Sequence, residues 1–277
     1  MSKLREEMCS YMELKGYSPV TIQSYIGRVS LYAKYYKLSP AKLGVEKVKE
    51  YLLHLYRVRK VSPTFVNSTF AALKILYTKV LDEKWDQKLP MMKRPKTLPK
   101  ILSRKEVSKL LSVKMNLKHH AIIALLYSTG IRLKELQNLK LKDIDSGEMA
   151  IRINYGKGNK DRYTLLSKEM LKELREYYKV YKPKMWLFEG TTGGQYSKRS
   201  IQHVVKKAKI KAKIEKDCSC HVLRHCFATH LLEQGIDIFE IKELLGHTTI
   251  KTTIRYLHVN IKHMKKIKDP LVYVRQK

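Results

Sequence analysis

Between Gln87 and Ser103 the sequence loses every regular apolar spacing: KLPMMKRPKTLPK carries three prolines and five lysines or arginines, which neither a helix interior nor a central strand accommodates. A periodic block stands on each side of this break. The 277-residue chain therefore divides into a first unit over residues 1–86, an extended basic linker over 87–102 and a second unit over 103–277.

The first unit reads as four helices. Ser18-Pro19 and Ser62-Pro63 each place a capping hydroxyl before a proline at the first helical turn. After the first start, Ile22, Ile26, Val29, Ala33 and Tyr36 alternate steps of four and three. Val66, Phe70, Leu73, Tyr77 and Val80 do the same after the second. Val45, Val48, Leu52, Leu55 and Tyr56 form a third stripe, and Leu4 to Leu14 a first helix. The polar faces carry Lys34, Lys37, Lys47, Lys49, Arg57, Arg59 and Lys60, which predicts a basic surface beside the core.

The second unit opens with a capping-box spacing, Ser103 to Glu106. A buried helix, AIIALLYSTG, ends at Gly130, and a helical pattern restarts over Ile131 to Leu139. KDID, MAIRIN and DRYTLLS, separated by Ser146-Gly147 and by GKGNK, predict a three-stranded antiparallel sheet. From Ser167 onward the pattern is helical: to about Val180, from Ser197 to about Lys211, and again from His221. The fold class is mainly α with one small antiparallel sheet.

Charge narrows the partner. Fifty-seven Lys and Arg against twenty-five Asp and Glu leave a formal net charge of +32, spread along the whole chain. A polyanion releases condensed counterions when it meets such a surface, so nucleic acid is the expected partner. No stretch reaches the length that spans a bilayer, and MSKLREEMCSYMELKG has acidic residues and no apolar signal core, which points to the cytoplasm. Cys9, Cys218, Cys220 and Cys226 fit a reducing compartment. The run CSCHVLRHC offers thiols and imidazoles to zinc, but no second ligand pair follows at a zinc-like spacing.

Four strings carry chemistry: TGIRLKEL, GKGNKDR, HVLRH and LGHTTIKTTIRY. GKG lacks the spacing of a phosphate-binding P-loop. His221 and Arg224, three apart, share a helical face, while His225 falls on another and reads as a structural histidine. His247 follows a helix-ending glycine, and Tyr256 lies nine residues on, about two and a half turns along a helix expected to begin near His247.

Taken together, these strings resemble the active-site boxes of the tyrosine recombinase (phage integrase) family, in the family's order. The resemblance covers nearly the whole chain, and FATHLLEQG after HVLRH is similar to Xer-type members. It implies Arg132, Lys157, His221, Arg224, His247 and Tyr256 as the catalytic set, with no cofactor, metal or nucleotide. It further implies a site-specific DNA recombinase acting through a 3′-phosphotyrosyl intermediate, in chromosome-dimer resolution or in integration and excision of a mobile element. The implied architecture is a two-domain clamp on duplex DNA, with a helical core-binding (SAM-like) domain over 1–86 and a catalytic domain over 103–277. Inverted binding sites, a homotetramer in the synapse and a nucleoid-associated location belong to the same picture.

Chemistry gives those residues distinct work. A phosphodiester repels nucleophiles, so metal-free cleavage needs fixed cations on its non-bridging oxygens, which Arg132 and Arg224 supply as planar, permanently charged forks. His247 adds a donor. The Tyr256 phenol, with a reference pKa of about 10, must lose its proton, and His221 is the candidate base. Lys157, at a hairpin tip, is the candidate acid for the departing 5′ oxygen. Glu135 is similar to the family's acidic residue after the first arginine and is expected to hold the scaffold. Leu257, Val259, Ile261 and Met264 form an apolar stripe similar to the tail that family members exchange between protomers. Two other classes fit parts of the pattern: a type IB topoisomerase, and a DNA-binding factor that has lost catalysis.

Overall fold

The computed structural model describes residues 3–85, 89–93, 100–154, 161–254 and Tyr256. The chain divides into two compact units, Met1–Lys96 and Thr97–Lys277, a division that falls inside the proline-rich segment.

The first unit contains α1 (Lys3–Leu14), α2 (Pro19–Tyr36), a short 3-10 turn (Pro40–Lys42), α3 (Glu46–Arg57) and α4 (Pro63–Ile75), which continues as a wider π turn over Leu76–Val80. Ser18 and Ser62 accept hydrogen bonds from the backbone amides of Thr21 and Phe65, so the two Ser-Pro starts work as caps. The core gathers Met8, Met12, Ile22, Ile26, Val48, Leu55, Val66, Leu73 and Tyr77. It also takes Tyr32, which lies off the apolar stripe of α2. Its hydroxyl is 3.2 Å from that of Tyr77, which donates to the Pro40 carbonyl at 2.9 Å. The hydroxyl of this buried tyrosine thus finds its partner 45 positions away, a pairing that no local period encodes. Asn67 grips the Met92 backbone at both its N–H and its carbonyl, which fastens the chain after α4 back onto that helix.

The second unit runs α5 (Arg104–Leu111), α6 (Leu117–Thr129), α7 (Leu133–Asn138), β1 (Ile144–Asp145), β2 (Ala150–Ile153), β3 (Arg162–Leu165), α8 (Lys168–Tyr181), α9 (Lys198–Lys211), α10 (Cys220–Gln234), α11 (Ile238–Leu245) and α12 (Lys251–Ile254). The strands pair antiparallel in chain order, with Ile144 opposite Ile151 and Ile151 opposite Thr164. Helix α6 is buried from Ala121 through Leu126 because α8, α9, α10 and β3 pack around it. Thr164 donates to the Thr129 carbonyl at 3.0 Å and ties β3 to the end of α6. Among the described residues no helix is long and apolar enough to cross a membrane.

One element is shorter than the sequence reading. The helix expected to run from His247 through Tyr256 is reduced to the single turn Lys251–Ile254, and Tyr256 follows in a turn of its own. Residues 248–254, TTIKTTI, are β-branched at six of seven positions, and such side chains lose rotamer freedom in a helix.

Candidate active site

Two helices end against the same guanidinium. Gly130 closes α6 and Gly246 closes α11, both in the left-handed conformation, with φ of 61° and 60°. Neither position has room for a side chain. A Cβ on Gly130 would lie 2.4 Å from the Phe227 ring, and one on Gly246 2.7 Å from Cδ of Arg162. The carbonyls left open at these ends take arginines. Arg224 donates to Gly130 O at 2.5 Å and to Leu245 O at 2.6 Å, Arg162 to Leu244 O at 3.0 Å, and Arg132 to Gly246 O at 3.2 Å. Three consecutive carbonyls at the negative end of α11 are thus covered by three different arginines.

Glu135, on the first turn of α7, is the carboxylate among them. Its oxygens accept from Arg132 at 2.7 Å, from Arg162 at 2.8 and 3.0 Å, and from the Arg132 backbone N–H at 2.7 Å. Burial alone would raise its pKa, but Arg162 and Arg132 together hold it down at about 2. Arg224 is 1 % exposed, and burial beside Arg132 and Arg162 pushes its pKa down to about 9, so it is charged at neutral pH. Three guanidiniums around one carboxylate leave positive charge in excess. A cleft of about 410 Å³ opens on it, lined by Arg132, Leu133, Lys134, Gln202, Cys218, Ser219, Cys220, His221 and Arg224. It has the chemistry of an anion site.

Tyr256 is 1 % exposed and packs among Phe227, Ala228, Leu232, Ile241 and Leu245. Its ring stacks on His247, at 6.4 Å and 13°, and its hydroxyl shares a 2.9 Å hydrogen bond with Nδ1 of His225. His225 in turn meets His221, one turn earlier on α10, edge to face at 4.2 Å. Nδ1 of His247 shares a 2.8 Å hydrogen bond with the buried Thr253 hydroxyl. Burial, then Arg224, Arg132 and Arg162, pushes the His247 pKa down to about 3, so its imidazole is neutral. A neutral imidazole keeps one N–H, available as a hydrogen-bond donor. Among the described residues no three His, Cys, Asp or Glu gather as a metal would need, and Sγ of Cys226 accepts from the Leu102 N–H at 3.2 Å.

A profile of the phage integrase family matches residues 100–263, and one described as "Phage integrase, N-terminal SAM-like domain" matches residues 4–87. The chain belongs to the phage integrase family. Among curated relatives, this recombinase is 38% identical over 262 residues to "Putative integrase/recombinase y4qK" of Sinorhizobium fredii, covering 94% of this chain and 85% of the relative. It is 36% identical over 270 residues to tyrosine recombinase XerA of Pyrococcus horikoshii, covering 95% and 92%. The crystal structure of XerA recombinase aligns over 99% of both chains with 29% identity and a TM-score of 0.57. XerH bound to its difH substrate aligns over 97% of this chain and 85% of its own, with a TM-score of 0.72 at 22% identity, and there the likeness is one of fold. This chain is a tyrosine recombinase of Xer type, an enzyme that cleaves and rejoins DNA at specific sites, and DNA is its partner.

Of the six residues singled out in the sequence, Arg132, His221 and Arg224 line one cleft of the recombinase, and His247 stacks on Tyr256 within the field of the arginines. Lys157 lies outside the described residues, as do Leu257, Val259, Ile261 and Met264. His225, read from the sequence as a structural histidine, shares a hydrogen bond with Tyr256. Arg162 and Thr253 were missed. Arg162 had a signal: a charged residue opening a strand just beyond the GKGNK turn, whose side chain the structure leaves only 10 % exposed.

Proposed function

We propose that the recombinase cleaves one strand by attack of Tyr256 on a phosphodiester held in the arginine-lined cleft, forming a 3′-phosphotyrosyl bond that keeps the energy of the original linkage for rejoining. The observation that carries this reading is the unbalanced charge: Arg132 and Arg162 pair with the carboxylate of Glu135 while Arg224 lies buried in the same field, held by backbone carbonyls, beside a tyrosine fixed by two histidines. In this scheme Arg132 and Arg224 bind the non-bridging oxygens, and their fixed donors stabilise charge that grows in the transition state. Neutral His247 adds one N–H, His221 stands at the exposed mouth of the cleft toward the phosphate, and Lys157 protonates the departing 5′ oxygen.

The helical unit over 1–86, the basic linker over 87–102 and the catalytic unit over 103–277 are read as gripping the same duplex. Four protomers acting on paired inverted sites, in the nucleoid, would perform chromosome-dimer resolution or integration and excision of a mobile element. Support comes from the net charge of +32 and from the family match over both units.

The test is covalent trapping. A nicked random-sequence duplex library incubated with the chain and then denatured should leave DNA attached to protein, and Tyr256→Phe should retain DNA yet form no adduct. An adduct on Tyr256→Phe would move the nucleophile to another residue. Wild-type protein that relaxes a supercoiled plasmid but never recombines two copies of the trapped sequence would place the chain with the topoisomerases.

A further inference from the structure

We infer that His225 is a catalytic residue of this recombinase, the group that takes the phenolic proton from Tyr256 during cleavage and returns it during rejoining. The inference rests on the reading of Tyr256 as the nucleophile.

Geometry comes first for a general base: it must lie within hydrogen-bond reach of the proton it removes. Nδ1 of His225 and Oη of Tyr256 are 2.9 Å apart, and both residues are buried. The Tyr256 ring meets both His225, at 5.4 Å and 58°, and His247, stacked at 6.4 Å. His225 is fixed on α10 directly after Arg224, whose guanidinium is anchored on the ends of α6 and α11. The base therefore sits on the same rigid turn as the principal phosphate-binding cation, and attack and proton removal share one frame. His221, one turn away on the same helix, reaches the cleft wall while its ring meets the edge of His225.

The step balances as follows. Oη of Tyr256 forms a bond to phosphorus as the bond from phosphorus to O5′ breaks. The phenolic proton passes to Nδ1 of His225, which starts as the Nε2–H tautomer, and O5′ takes a proton from the general acid, Lys157 in the scheme above. In rejoining, the 5′ hydroxyl attacks phosphorus, its proton goes to that same acid group, and His225 returns its proton to Oη.

Duplex trapped by the wild-type chain from the random library, sequenced and resynthesised with a nick, serves as the probe, and single-turnover adduct formation is timed. His225→Ala should slow it by about 10² to 10³-fold with DNA retention unchanged, and added imidazole should restore at least tenfold. His225→Gln fills the space and can hydrogen-bond the phenol but cannot accept its proton. It should remain slow near neutral pH and speed up about tenfold per pH unit up to pH ~9, as hydroxide replaces the missing base, faster than the wild type does. The titratable and charged groups facing this site, His221, Arg224, His247 and Tyr256 itself, are common to both proteins, so the difference isolates residue 225. Should His225→Ala fail to fold, the Gln variant carries the test alone. Gln within a few-fold of wild type, or an Ala variant that folds yet is unaffected or not rescued by imidazole, overturns the inference. Tyr256→Phe runs alongside: an adduct there sinks the nucleophile assignment, whereas its absence with a fully active Gln variant sinks only the role of His225.

Discussion

Arg162 grips Glu135 at both carboxylate oxygens, Nη1 on Oε1 at 3.0 Å and Nη2 on Oε2 at 2.8 Å, while its Nε holds the Leu244 carbonyl at 3.0 Å. One side chain on β3 thus joins the carboxylate that orients Arg132 to the helix end that orients Arg224. Arg162→Lys keeps the charge but cannot make a two-pronged contact and a third bond together. We expect the variant to lose about 3 kcal/mol of stability, since one partner of a buried pair is left imperfectly matched. Adduct formation should slow by about tenfold or more with little change in DNA retention if, as proposed, the arginines it supports act in the transition state. Denaturant unfolding together with single-turnover cleavage checks this, and equal losses in retention and rate would reduce Arg162 to general scaffolding.

Acid should destabilise the recombinase through two residues of the site. His247 is held neutral, its pKa lowered from 6.5 to about 3, so the unfolded chain binds a proton that the folded chain refuses. Its contribution is complete above about pH 6.5 and is lost as pH falls toward 3, with a slope near 1.4 kcal/mol per pH unit. Glu135 is held charged, from 4.5 down to about 2, so its contribution is present above pH 4.5 and is lost as pH falls toward 2. His119, also kept neutral by burial and by Lys118, adds in the His247 direction. In urea titrations, His247→Gln should flatten the dependence between pH 6.5 and 4.5 by about one proton while leaving the more acidic limb. An unchanged slope would mean that His247 is protonated in the folded chain.

What could be read from the sequence was local chemistry. Ser18, Ser62 and Ser103 cap the helices that their spacing announced, Gly130 and Gly246 end theirs, and the glycine-punctuated strands pair as expected. What could not be read was the choice of distant partners. Arg162 meets Glu135 across 27 positions, Arg224 finds the Leu245 carbonyl across 21, and His225 meets Tyr256 across 31. Each choice follows from how α10, α11 and β3 pack, and a helical face count sets His225 aside because it knows only the residue's own helix. The overlong helix before Tyr256 is a different failure. Its propensity signal, the β-branched TTIKTTI, was present and outweighed by the spacing from His247 to Tyr256.

DNA retention should fall steeply with salt. The net charge of +32 and the basic faces of the helical unit predict many phosphate contacts, each releasing a counterion. With six to ten such contacts, affinity should drop by about 10³ to 10⁵ between 50 and 200 mM salt. Neutralising one exposed lysine of the first unit, Lys34→Gln, should lower the log–log slope by about one if that residue touches phosphate, and should not alter cleavage once the duplex is saturated. A nearly flat salt dependence would detach the charge excess from DNA altogether.

Lys157 is the proposed general acid, and sulfur chemistry separates that role from simple phosphate binding. If its ammonium protonates the departing 5′ oxygen, Lys157→Ala should slow cleavage of the trapped duplex by about two to four orders of magnitude while retention changes little. Replacing that bridging oxygen with sulfur makes the leaving group a thiolate, which departs without a proton. The variant should then cleave the sulfur duplex far faster than the oxygen one, approaching wild-type speed. Arg132→Ala should gain nothing from the same duplex, because the oxygens it is proposed to serve are the non-bridging ones and these are unchanged. Rescue of both variants alike would mean that sulfur merely makes every slow enzyme faster. Rescue of neither would reduce Lys157 to a positioning contact and turn attention to Lys160, three residues on in the sequence, as the next candidate acid.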